Sequence, residues 1–194
     1  MWPVFLGLDK KIFLLVNGGA GSWLDYALGW TTFLATPVLF AIVFLFIFIW
    51  DSKNPRRNFL KVLAGGMSGA IAANILKLLV DRPRPYEFFY DQIASGEVEL
   101  HNMFNTYVAR SFPSSHTALI FATVFALNAV YRQRLAFLYP LACIPSLSRI
   151  YVGAHFPSDV AGGVIIGVLG SFAGLELMKR FQFSKKSSAQ SSGS

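Results

Sequence analysis

Charge is what this chain has least of. Charged residues make up 14% of its 194 positions, against roughly a quarter in a typical soluble domain. A water-soluble fold could not cover its apolar surface with so few. Cysteine is nearly absent as well. Cys143 stands alone, which excludes a disulfide scaffold and says nothing about redox compartment. Acids are scarcer than bases, 10 against 17, for a net charge of +7. The cations are scattered between apolar blocks rather than gathered in a stripe, which argues against nucleic acid as a partner and for membrane-flanking charge. Repeats, heptads and a second domain are also missing. What is present is apolar: 54% hydrophobic residues, 19 Phe and 4 Trp. These features predict an integral membrane protein.

The longest run without charge covers residues 26–50, 25 positions, more than the roughly 20 a helix needs to cross a bilayer. It is internal and too long for a cleaved signal peptide. Further apolar segments cover 59–80, 114–131, 135–148 and 160–178. The expected fold is all-α, a polytopic transmembrane bundle of five spans. Residues 2–16 mix apolar side chains with Asp9, Lys10 and Lys11. They read as an amphipathic interfacial helix ended by a glycine-rich turn at 17–21, or as a sixth, tilted span. One membrane-embedded domain, 1–183, precedes a Ser-rich tail, 184–194, expected to be disordered.

The connections between spans divide by charge. Lys53, Arg56, Arg57, Arg132, Arg134, Lys179, Arg180, Lys185 and Lys186 flank one side, which the positive-inside rule assigns to the cytoplasm. Connections 81–113 and 149–159 then lie outside, carrying Arg82, Arg84, Arg110 and Arg149 together with Asp81, Glu87, Asp91, Glu97, Glu99 and Asp159. Lys10 and Lys11 fit this topology poorly, because it leaves them outside too.

In so apolar a chain the polar residues at helix ends are the informative ones. Taken singly each has a bland reading: Lys77 snorkels, Pro83 and Pro85 stop a helix, Ser114 caps one. Taken together they form a pattern. Lys77, Arg84, Ser114, Ser115, His116, Arg149, His155 and Asp159 come from the ends of four spans and share one side of the membrane. The cations outnumber the nearby acid, so the cluster wants an anion, and arginine forks suit phosphate oxygens. The start of the third span adds helix amides. A histidine beside a carboxylate is a competent nucleophile or base, and a second can serve as general acid. Phosphoryl transfer by covalent catalysis is the implied chemistry. Two His and one Asp could in principle ligate zinc, but so cationic a cluster repels a divalent ion, so no metal and no cofactor are expected.

Lys77-(six residues)-Arg84-Pro85, Pro113-Ser114-Ser115-His116 and Ser148-Arg149-(five residues)-His155-(three residues)-Asp159 resemble, in order and spacing, the three signatures of the type 2 phosphatidic acid phosphatase superfamily. The resemblance covers 77–159. It implies that His155 attacks phosphorus to form a phosphohistidine, with Asp159 orienting it. His116 would protonate the leaving oxygen and then activate water. Lys77, Arg84, Ser114, Ser115 and Arg149 would hold the phosphoryl oxygens. Ser115 departs from the family's usual Gly, but a backbone amide donates equally from either.

The resemblance also implies a lipid phosphate substrate in the bilayer of a bacterial inner membrane, with the site facing the periplasm or exterior. Lipid A 1-phosphate is the first choice. Undecaprenyl diphosphate and phosphatidylglycerol phosphate are the alternatives. A rival from another class is a non-catalytic anionic-lipid transporter, which would need the cations but not two histidines. The outer loop 86–112 is acidic and reads as a lid or as a solvated loop.

Overall fold

The computed structural model describes residues 3–18, 22–31, 37–101 and 110–191. Among these, every regular element is a helix: α1 (Pro3–Asn17), α2 (Ser22–Thr31), α3 (Pro37–Trp50), α4 (Pro55–Leu79), α5 (Pro85–Phe88), α6 (Tyr90–Ala94), α7 (Ser115–Val130), α8 (Leu138–Tyr151) and α9 (Pro157–Ser191). The α4, α7 and α9 helices form the centre, each packed on the other two. Small residues allow this. A Cβ on Gly163 would stand 2.6 Å from the Ser114 carbonyl oxygen, and one on Gly167 would overlap the backbone of Ala118. Gly69 lies equally close to Ala122 and Gly167. In lipid, where burial of apolar surface gives helices little reason to associate, such close backbone approach supplies the dispersion contacts that hold them.

The outward faces of the bundle stay apolar. Ile71, Ile75 and Leu78 on α4, Leu141, Ile144 and Leu147 on α8, and Ile165, Leu169 and Phe172 on α9 are all exposed. Their spacing of three and four residues places each set on one helix face. A belt of this extent is a lipid-facing surface.

Among the described residues, two helices are long and apolar enough to cross a bilayer, Pro55–Leu79 and Pro157–Arg180. The other predicted spans are shorter. Within the charge-free run 26–50, α2 is described to Thr31 and α3 from Pro37; residues 32–36 lie outside those described. With 16 residues in α7 and 14 in α8, these two are about 24 and 21 Å long at 1.5 Å per residue, short of the roughly 30 Å hydrocarbon layer. The region 131–137 between α7 and α8 is a succession of turns. Arg132 and Gln133 take left-handed φ values of 54° and 63° there, and Asn128 on α7 donates to the Leu135 carbonyl at 3.1 Å. Asp51 gathers the same end of the bundle. Its carboxylate accepts from the Asn54 amide, the Asn58 side chain and the Tyr131 hydroxyl, joining α3, α4 and α7.

The N-terminal helix α1 docks on α8 and α9. Phe13 is fully buried, with its ring centroid 5.3 Å from that of Phe156 and 6.0 Å from that of Phe89. Lys10, awkward for the topology, stands over the Phe88 ring at 4.3 Å. At its far end α9 is described to Ser191.

Candidate active site

All eight predicted site residues fall at one end of the bundle, in or beside five helices. Lys77 lies in the last turn of α4 and Arg84 immediately precedes α5. Ser114 caps α7, whose first two residues are Ser115 and His116. Arg149 ends α8, and His155 and Asp159 flank the start of α9. Lys77, Arg84 and Arg149 all lie within electrostatic reach of His116. Arg84 and Arg149 act in the same way on His155. Three separate motifs therefore converge on one cationic pocket.

His155 owes its position to a tight turn. The Arg149 carbonyl accepts from the amides of both Ala154 and His155, at 3.0 and 3.1 Å. Gly153 makes this possible with a φ of 78°, a left-handed value that costs a side-chain-bearing residue about 1–2 kcal/mol. Arg84 donates from Nη1 to the Ala154 carbonyl at 2.9 Å, fixing the guanidinium one residue away from the imidazole. Burial drives the His155 imidazole down to about 3. Asp159 pulls it up, and Arg84 and Arg149 push it further down. The ring is consequently neutral at physiological pH, with a nitrogen lone pair available to an electrophile.

Asp159 is fully buried and its side chain is held by three donors. Arg82 Nη1 donates to Oδ1 at 2.5 Å, while Ser111 Oγ and the Phe156 amide donate to Oδ2 at 2.5 and 2.8 Å. The Phe156 contact is the reach-back of an N3 acid to the residue that precedes a helix. His155 Nδ1 lies 3.6 Å from Oδ2, beyond hydrogen-bond range though near enough for strong electrostatic coupling. The expected His–Asp pair is thus present but open. Such contacts commonly tighten only when a substrate is bound.

The serines have work besides any phosphate. Ser114 Oγ accepts from the Thr117 amide at 3.4 Å and from its hydroxyl at 3.1 Å, as a helix cap does. Its amide donates to the Asp159 carbonyl at 3.0 Å, tying the start of α7 to that of α9. Ser115 Oγ donates to Asn74 Oδ1 on α4 at 3.0 Å.

Reasoning from sequence missed Asp9, Arg82, Ser111 and Ser158. Arg82, buried, forks between two acids: Nη1 reaches Asp159 and Nη2 reaches Asp9 Oδ2 at 2.5 Å. Asp9 also accepts from the Ser158 amide at 2.9 Å and its hydroxyl at 2.5 Å. An acid inside the apolar segment 2–16 was the available signal, since a carboxylate there requires a partner. Arg82 was passed over beside the prolines. His101, the third histidine, belongs elsewhere: its Nε2 lies 3.0 Å from Asp25 Oδ1, which also accepts from the Tyr151 hydroxyl. Of the acids in the outer loop, Glu87 accepts from the Arg84 amide at 3.1 Å. Residues 102–109 lie outside those described, and the lid reading of the loop falls largely on them.

Comparison with known proteins gives the chain's family and its relatives. A family model described as the PAP2 superfamily matches residues 58–183. Undecaprenyl-diphosphatase BcrC of Bacillus subtilis is 26% identical over 170 residues, covering 85% of this chain and 81% of that protein. A lipid A 1-phosphatase of Rhizobium johnstonii is 35% identical over 101 residues, half of this chain and 38% of the longer relative. The crystal structure of Aquifex aeolicus LpxE superposes with a TM-score of 0.69 at 25% identity, covering 87% of this chain and 95% of that one.

Proposed function

Since the chain belongs to the PAP2 superfamily, we propose that it is a membrane lipid phosphatase whose reaction passes through a phosphohistidine on His155. The observation that carries this reading is the convergence of a neutral, buried imidazole, a fixed carboxylate and three cations at one end of an apolar bundle. Lys77, Arg84 and Arg149 bind the phosphoryl oxygens and balance the charge that gathers on them in the transition state. His155 attacks phosphorus while Asp159 stabilises the developing imidazolium. His116 donates its proton to the leaving oxygen, then removes one from the water that cleaves the P–N bond. The amides and hydroxyls of Ser114 and Ser115 border the same pocket at the start of α7.

The lipid class follows from the exposed apolar belt of the bundle that carries the site. Lipid A 1-phosphate is the first candidate, supported by the 35% identity to a lipid A 1-phosphatase. Undecaprenyl diphosphate is the second, supported by a match that runs over 85% of the chain. The active site opens to the periplasm or exterior of an inner membrane.

The test is chemical trapping. Purified protein given a ³²P-labelled short-chain lipid phosphate and quenched rapidly in alkali should carry label on His155. His155→Ala should carry none and should lose activity by at least about 10⁴-fold, as enzymes deprived of a nucleophile do. Label on a serine, or phosphate release with no labelled histidine, would overturn the assignment. A protein that binds the lipid and releases no phosphate would be the transporter instead. A panel of lipid A, undecaprenyl diphosphate and phosphatidylglycerol phosphate then ranks the substrates.

A further inference from the structure

The opposite end of the bundle holds a second gathering of cations. Arg57 and Lys61 stand one turn apart near the start of α4, and Lys179 stands on α9. Arg57 and Lys179 both act electrostatically on Lys61, so three positive charges share one small region. Glu176 is the acid among them, and it is engaged by Lys179 at 2.5 Å. Three cations against one carboxylate leave an excess of two positive charges. The two helices cannot swing apart to relieve the repulsion, because α4 and α9 touch nearby through Gly65 and Ser171, and through Gly174 and Ser68.

These charges border a cavity of about 550 Å³. Its other wall is apolar: Phe125 comes from α7, and Phe172 and Leu175 come from α9. Phe172 is 55% exposed and continues the lipid-facing belt. The cavity therefore has a cationic mouth and an apolar side open to the bilayer. Arg57 precedes Lys77 by 20 residues on α4, and Asp159 precedes Lys179 by the same number on α9. At 1.5 Å per residue both intervals are about 30 Å, the thickness of the hydrocarbon layer. The cavity thus sits at the other membrane surface from His155.

We propose that this cavity binds one phospholipid with an anionic head group, drawn from the leaflet opposite the active site. The phosphate rests among Arg57, Lys61 and Lys179, and an acyl chain lies over Phe125 and Phe172. The charge excess selects an anionic over a zwitterionic head group, and the apolar wall selects a lipid over free phosphate. The inference depends on the membrane placement of the bundle and not on the catalytic assignment, so each can fail alone.

Native mass spectrometry of the full chain in detergent tests it. Dioleoyl phosphatidylglycerol should be retained as a single adduct, at least about tenfold more tightly than dioleoyl phosphatidylcholine, as expected for several cations at a membrane surface. The triple substitution Arg57→Gln, Lys61→Gln and Lys179→Gln should abolish the preference. A control pair at the same end, Lys53→Gln and Arg134→Gln, should leave it intact. Equal retention of the two lipids would overturn the proposal, as would a preference that survives the triple substitution. Displacement of phosphatidylglycerol by millimolar inorganic phosphate would assign the cations to free phosphate and overturn it too. Should the triple variant fail to fold, Lys61→Gln alone removes one half-buried charge and must still weaken the preference. An unchanged preference there would refute the site.

Discussion

At the scale of single residues, the setting of His155, the proposed nucleophile, depends on side chains that stand behind Asp159. Asp159 is held through Oδ1 by Arg82, and Arg82 is held in turn by Asp9 from the other end of the chain. This relay makes Asp9 a positioning residue. Asp9→Asn should lower kcat on the order of tenfold while leaving KM within about twofold, the size of effect expected for groups that orient a reacting ligand from behind. Steady-state kinetics on a short-chain lipid phosphate checks it; a rise in KM at constant kcat would instead make α1 part of the lipid-binding wall. Arg82 is a harsher case. Arg82→Ala leaves two buried carboxylates uncompensated and should cost about 3–5 kcal/mol of stability, which detergent-phase thermal unfolding would register.

At the scale of elements, α7 and α9 approach closely at Gly163 and Gly167. Gly167→Ala drives a methyl group into the Ala118 backbone, which cannot yield as a flexible side chain would. An overpacking cost of about 1–3 kcal/mol is expected, again read by thermal unfolding. Gly163→Ala pushes instead on the Ser114 carbonyl and Thr117, where α7 and α9 present the site, so activity should fall more than stability. The opposite end is pinned by Asp51, whose carboxyl is lowered from 3.8 to about 2, mainly by the Asn54 amide and then by the Asn58 side chain. A folded-state value below the unfolded one contributes stability that is complete above the ordinary carboxylate range and is lost as pH falls through about 2. The acid limb of a stability–pH curve should therefore be flatter in Asp51→Asn between pH 4 and 2 than in the unaltered chain. An unchanged limb would show that Asp51 contributes nothing to it.

At the scale of the whole molecule, orientation in the membrane decides which lipids are within reach. With single cysteines at Ser95 and Asn54 in a Cys143→Ala background, a membrane-impermeant maleimide applied to intact spheroplasts should label the first and spare the second. The reverse labelling would turn the site toward the cytoplasmic leaflet and remove exported lipids as substrates. Much of the molecule follows from the sequence alone. Apolar runs and scarce charge specify helices in a membrane, because only helices and closed barrels satisfy the backbone there and unbroken apolar runs fit the helix. The spacing Lys77–Arg84, Ser114–His116 and Arg149–His155–Asp159 names the site, because each motif is local and its chemistry is written in adjacent residue types. Tertiary structure decided the rest. Hydropathy counts residues and is blind to where a helix stops, so α7 and α8 fall below full spanning length although the segments that carry them read as spans. Composition places Asp9 in an interfacial helix, but its partner Arg82 is 73 residues away in the chain. Only folding brings that pair together, since a carboxylate and a guanidinium buried in an apolar bundle are stable only against each other.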